Sequence, residues 1–162
     1  MYSIPLDTSS KSIIASFTPC HEINENLFVG SQLALDYDFL KLMNINVIIS
    51  CRPLEYYQKK IITSLHIVHH DLKVKHSQFC KEYTTLQEKC NELFSFYLSQ
   101  GKKVLIHCNS GFHRSVTLTA GYLMKINNWN YQTAFDFIKN IRPCVEMKYI
   151  VQENGTCITS VL

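Results

Sequence analysis

The chain reads as an α/β domain, a sheet covered by helices on both faces. Two observations carry this: short β-rich runs alternate with helical segments, and two of the runs, 47–49 and 104–106, are apolar at every position. A strand with one wet face alternates polar and apolar residues, so an unbroken apolar strand is buried on both sides. Length agrees, since 162 residues make one ordinary domain that buries roughly two thirds of its unfolded surface without metal or disulfide.

In chain order, the β-rich runs fall at residues 26–30, 46–50, 65–71 and 103–108. Ser31 is positioned to cap a helix whose apolar residues Leu35, Phe39, Leu42 and Met43 recur at helical spacing. Residues 77–100 form the strongest helical pattern. They align Phe79, Tyr83, Leu86, Cys90, Leu93, Phe94 and Tyr97 on one stripe, and Gly101 follows as a stop. A largely buried helix is expected over 115–125. Asn130 caps another, with Ala134, Phe137, Ile138 and Ile141 inward until Pro143 ends it.

Composition narrows the function classes. Hydrophobic residues at 46% and charged ones at 18% describe a globular chain. A net charge of +3, from 16 basic and 13 acidic residues, is too mild for a nucleic-acid partner, so none is expected. No apolar stretch is long enough to span a membrane, and no membrane partner is expected. The first eleven residues lack the basic and apolar blocks of a leader. Tyr2 stands where myristoylation needs glycine, and Cys157 lies too far in for prenylation. Seven cysteines without a Cys-x-x-Cys pair read as free thiols in a reducing compartment, cytoplasmic or nuclear. The sequon Asn154-Gly155-Thr156 carries no glycan there.

One segment stands above the background: Val104-Leu105-Ile106-His107-Cys108-Asn109-Ser110-Gly111-Phe112-His113-Arg114-Ser115. A buried strand runs into a short loop that opens with cysteine and closes with arginine where a helix begins. The loop N–H groups have no strand or helix partner, and the helix dipole adds positive potential at the same point. Together they form an anion cradle from Asn109, Ser110, Gly111, Phe112, His113 and Arg114. Gly111 permits a turn or a close approach that a Cβ would block. Arg114 adds a planar fork for two phosphate oxygens. Beside that cation and the helix N-terminus the Cys108 thiol is expected below its usual ~8.5. A thiolate on the floor of a phosphate cradle is a nucleophile aimed at phosphorus.

His107-Cys108-x-x-Gly111-x-x-Arg114-Ser115 resembles the signature of the cysteine-dependent protein tyrosine phosphatases. The short chain and the continuation Thr117-Leu118-Thr119-Ala120-Gly121-Tyr122-Leu123-Met124 resemble their small, atypical dual-specificity members. Leu27-Phe28-Val29-Gly30-Ser31 is similar to the family's early strand and turn, and Ala134 to Pro143 to its late helix and Arg-Pro stop. The resemblance implies a central, mostly parallel sheet of four to five strands flanked by helices. It implies residues 26–152 as the catalytic domain, 1–25 as an N-terminal extension with a first strand, and 153–162 as a tail. It further implies phosphate removal through a phosphocysteine, without cofactor or metal.

The resemblance gives Ser115 the role of stabilising the departing thiolate and His107 that of ordering the loop. Phe112 and His113 line the mouth. The family supplies a general acid from an upstream loop, and Asp71 is the one acidic residue between Glu55 and Glu82. Asp71 also suits a plain strand-end turn, in which case His70 or His76 would donate the proton. Relatives directed at phosphoinositides carry lysines in the loop, and here there are none. Phosphorylated protein is therefore the expected substrate, phosphoserine and phosphothreonine as well as phosphotyrosine. A catalytically weak phosphoprotein-binding pseudophosphatase is the rival, and a phosphatase for glucan, lipid or RNA phosphate a third reading.

Remaining features are read more plainly. Cys51 ends the 46–50 strand on the edge expected to hold Cys108. Some relatives link such a cysteine reversibly to the nucleophile, and a buried free thiol is the alternative. His66, His69, His70, His76 and Cys80 invite a metal reading, but on one strand His66 and His69 point to opposite faces, so none is expected. Ser160-Val161-Leu162 has the form of a peptide for carboxylate capture at a sheet edge. Lys59-Lys60 reads as a solvated face and Trp129 as a helix junction. After Pro143 the family commonly continues Pro-Asn-Gly-Phe. Here Cys144-Val145-Glu146-Met147-Lys148-Tyr149 follows, which points to an altered final helix.

Overall fold

The computed structural model describes residues 7–161. Its sheet holds β1 (Cys20–Asn24), β2 (Leu27–Gly30), β3 (Val47–Ser50), β4 (Val68–Asp71) and β5 (Val104–His107) in the order β1-β2-β5-β3-β4. Only β1 runs antiparallel. The helices are α1 (Thr8–Phe17), α2 (Tyr37–Met43), α3 (Tyr56–Ser64), α4 (Phe79–Leu98), α5 (Arg114–Asn127) and α6 (Tyr131–Ile141). A small antiparallel hairpin of β6 (Tyr149–Val151) and β7 (Cys157–Thr159) closes the chain.

The apolar runs are explained by a core on each side of the sheet. Val29, Val47, Ile49, Val104 and Ile106 join Phe94, Leu118 and Ile138 of α4, α5 and α6. The intervening Phe28, Ile48 and Leu105 join Leu40 of α2 and Ile62 of α3 on the other side. Side chains that alternate in direction all meet hydrocarbon. Truncating fully buried Leu105 to alanine is worth about 2–5 kcal/mol.

Several elements differ from the sequence reading. Ser31 caps only a single tight turn, Gln32–Ala34, through Leu33 N–H. The helix carrying Phe39 starts later, because Asp36 Oδ2 accepts from Phe39 N–H at 2.9 Å and forms the stronger cap. The fourth strand begins at Val68 rather than 65, since His66 turns the chain with φ +55°. His66 is therefore off the strand, and strand alternation does not set its direction relative to His69. The pattern missed α3, although a reciprocal capping pair, Glu55 and Gln58, marks its start. The altered segment after Pro143 is the β6–β7 hairpin in place of a helix.

Register sets up the site. Gly30 and Ser50 each pair with His107, and Ser50 pairs with Asp71. The C-terminal ends of β2, β5, β3 and β4 thus share one edge, where ligands of open α/β sheets bind.

Candidate active site

β5 delivers Cys108 to that edge, 2% exposed, at the mouth of a loop leading into α5. The loop is held by its carbonyls. Asn109 C=O accepts from Gln32 N–H at 3.0 Å, and Phe112 C=O from Glu146 N–H at 3.2 Å. Ser110 and Gly111 carbonyls accept from the Arg142 guanidinium at 3.3 and 3.2 Å. His113 C=O accepts from Thr117 N–H and Oγ–H at 2.9 and 2.8 Å. With five carbonyls turned outward, the N–H groups are left for the interior. Those of Gly111 and Ser115 reach the Cys108 sulfur. Among the described residues, those of Asn109, Ser110, Phe112, His113 and Arg114 meet no protein acceptor. Such a concavity of N–H groups at a helix start binds anions.

Gly111 is required twice. Its φ is +71°, and a Cβ there would lie 2.6 Å from Gly30 O. Arg142 is buried entirely and also bonds Thr18 C=O at 3.0 Å and His21 Nδ1 at 2.8 Å. It ties the loop to the chain around β1. Read in the sequence only as part of a helix stop, it is a positioning residue that sequence reasoning missed.

Burial alone would raise the Cys108 thiol. Hydrogen bonds from Ser115, the Arg114 charge and Gly111 N–H outweigh it, and the thiol falls below its ordinary value. Ser115 Oγ is 3.2 Å from the sulfur. Arg114 Nη1 donates to Cys51 C=O at 2.8 Å, which holds the guanidinium across the end of β3.

The histidines form a directed chain. Burial pushes His107 down to about 4, so the ring is neutral near pH 7 with one N–H. Its Nδ1 lies 3.2 Å from Cys108 C=O, which can only accept, so the hydrogen sits there. Nε2 must then accept from Ser50 Oγ–H at 2.7 Å, and Ser50 Oγ accepts from His69 Nε2–H at 2.9 Å. A half-buried histidine on β4 is wired to the backbone of Cys108.

Asp71 ends β4, two strands and thus about 10 Å from β5. Its Oδ1 accepts from Lys73 N–H at 2.8 Å, in a turn that sets Lys73 at φ +54°. The strand-end turn is therefore formed, on the same edge as Cys108. His70 instead bonds Tyr97 Oη at 2.8 Å on α4, and the side chain of His76 lies outside the described part. Cys51 is fully buried against the site. Its thiol is raised well above the ordinary value by burial and by the Cys90 and Cys108 thiols. Glu146 pairs with His113 at 3.0 Å at the mouth. Among the described residues no three metal-ligating side chains converge. In the tail, Ser160 N–H donates to Lys148 C=O, and Leu162 lies outside the described residues.

Residues 27–152 match the family model "Dual specificity phosphatase, catalytic domain". The chain belongs to this family. It is 53% identical over 55 residues to the fission yeast tyrosine-protein phosphatase yvh1, covering 34% of this chain and 17% of that one. Dual specificity protein phosphatase 1B of Arabidopsis thaliana is 27% identical over 141 residues, 84% of this chain and 79% of that one. The crystal structure of human DUSP28 superposes with TM-score 0.65 at 18% identity, over 79% and 84% of the two chains, and shares the fold. The first five curated relatives are matched over only 6% to 51% of their length.

Proposed function

We propose that this dual-specificity phosphatase chain is a metal-independent phosphomonoesterase acting on phosphotyrosine and phosphoserine/phosphothreonine in proteins through a phosphocysteine. The observation that carries the reading is the carbonyl-out loop, whose N–H groups surround a thiol held below its ordinary value beside Arg114. Cys108 Sγ attacks phosphorus. Arg114 and the amides of Asn109, Ser110, Gly111, Phe112 and His113 hold the equatorial oxygens, whose charge they stabilise. Asp71 gives its proton to the departing oxygen. Water then cleaves the S–P bond, with Ser115 Oγ–H stabilising the leaving thiolate. Residues 26–152 supply this machinery, and a reducing compartment, cytoplasmic or nuclear, keeps Cys108 as a thiol. Under peroxide Cys51 joins Cys108 in a reversible disulfide.

A binding role without turnover is the second reading. It draws on Asp71, one of whose carboxylate oxygens is committed to its own turn. Para-nitrophenyl phosphate hydrolysis in excess chelator separates the two, using wild type, Cys108→Ser and Asp71→Asn. Turnover that survives chelation and vanishes in Cys108→Ser supports the enzyme. An inactive wild type that still binds a phosphopeptide through the loop supports the binding module. Phosphopeptides, a phosphoinositide, a phosphoglucan and a 5′-phosphorylated RNA assayed side by side then rank the substrates.

A further inference from the structure

Five of the seven cysteines, Cys20, Cys51, Cys90, Cys108 and Cys144, are buried. The two with solvent access are Cys80, in the first turn of α4, and Cys157, which opens β7. These two face each other, with their sulfurs 3.1 Å apart. Seventy-six residues of chain separate them, so tertiary folding alone brings them together. The remaining gap to a disulfide bond is about 1 Å.

We infer that Cys80 and Cys157 form a second redox site, which closes into an intramolecular disulfide under a peroxide-class oxidant and fastens the C-terminal hairpin to α4. Burial, reinforced by Cys80, keeps Cys157 protonated. The two sulfurs touch, so whichever is oxidised first has the other within reach. With Cys80 first, its thiolate displaces one oxygen of hydrogen peroxide as hydroxide, which takes up a proton to become water, and Cys80 becomes a sulfenic acid. Cys157 gives up its proton and attacks that sulfur. The S–O bond breaks, the S–S bond forms and a second water leaves. Two thiols and one peroxide become one disulfide and two waters.

The bond has a structural consequence. The Tyr149 ring of β6 packs 4.5 Å from Phe79 of α4. Just before β6, Glu146 contacts both Phe112 and His113 of the signature loop. Ser160, just after β7, donates to Lys148 C=O at 2.7 Å. Linking β7 to α4 therefore fixes the wall that Glu146 to Lys148 build beside the loop. The pair stands apart from Cys51 and Cys108 and needs no catalytic role for either.

The test is peptide mapping after one equivalent of hydrogen peroxide, on the full chain as wild type, Cys51→Ser, Cys80→Ser and Cys157→Ala. A Cys80–Cys157 cross-linked peptide is expected in wild type and Cys51→Ser and is absent from the other two. Oxidised wild type should melt roughly 5–10 °C higher, reversibly with dithiothreitol. Amide exchange over 146–160 should slow in the oxidised form. The inference is overturned if Cys80 and Cys157 come back as separate thiols or sulfinic acids while Cys108 is oxidised. A link found only between two chains overturns it as well. The wild-type map decides the matter even if a variant folds poorly.

Discussion

The loop after β5 and the turn after β4 lie on the same edge of one sheet, yet they are held very differently. Five successive carbonyls of the loop are gripped by groups from four other places in the chain: Gln32, Arg142, Glu146 and Thr117. The turn is tied to β3 by Leu72 N–H, which donates to Ser50 C=O at 3.1 Å, and by buried Leu72 and Val74, but the Asp71 side chain itself has a single bond, accepted by Oδ1 from Lys73 N–H over a backbone at φ +54°. The cradle is gripped at each of its carbonyls, whereas the proposed acid has an anchored backbone and a carboxyl held by one bond. Preorganised donors work only when fixed before charge develops, whereas a proton donor needs freedom to meet leaving groups of different reach.

The largest expected effect separates chemistry from architecture. Asp71→Asn should lower kcat by about 10²–10⁴-fold, leave the melting temperature unchanged, and remove the limb on which the rate falls as the acid ionises. An unchanged kcat would transfer the proton to another group and undo the division of labour between turn and loop.

Arg142→Met strikes the other region. It removes a buried cation and leaves its four acceptors, the Thr18, Ser110 and Gly111 carbonyls and His21 Nδ1, without their donor, and should cost about 3–5 kcal/mol by denaturant unfolding. What remains folded should bind vanadate less tightly than wild type. A variant with native stability and affinity would show that the loop holds itself, and the contrast with the turn would lose its basis.

Acid titration probes the His107 chain. Its folded value of about 4, below the ordinary 6.5, means that the unfolded chain takes up the proton first as pH falls. The linked stability is complete above about pH 6.5 and is lost as pH drops toward 4. It amounts to about 3 kcal/mol for the buried ring. His107→Asn should flatten that slope. Ser50→Ala, which cuts the wire to His69, should slow iodoacetamide alkylation of Cys108 at pH 6.

The smallest effect belongs to Lys73. Glycine adopts positive φ freely, so Lys73→Gly should shift stability by no more than about 1 kcal/mol and leave kcat close to wild type. A large loss of kcat would show that the turn positions Asp71 as tightly as the loop positions Cys108.

Much of this molecule was legible from local pattern. The unbroken apolar runs at β3 and β5, the α4 stripe and the Asn130 cap are short-range signals, and each appears where its residues call for it. The cysteine, glycine and arginine of the signature carry their chemistry within seven residues of chain, so the cradle could be named before any fold was known. Even α3 left a local trace, in its capping pair.

Other features have no local trace. Arg142 reaches back 31 residues to Gly111 and 124 to Thr18. Ser50 meets histidines 19 and 57 residues away, and Cys80 meets a thiol 77 residues on. Hydrophobic period and capping are read from neighbours in sequence, because helices and strands are periodic along the chain. A hydrogen bond or a thiol contact is read from neighbours in space, and only the packing of β1, α4, α6 and the hairpin around the sheet chose those. Sequence alone determined the fold class and the anion-binding loop. Tertiary structure decided what holds that loop open, which sheet edge brings Asp71 beside it, and which two sulfurs touch.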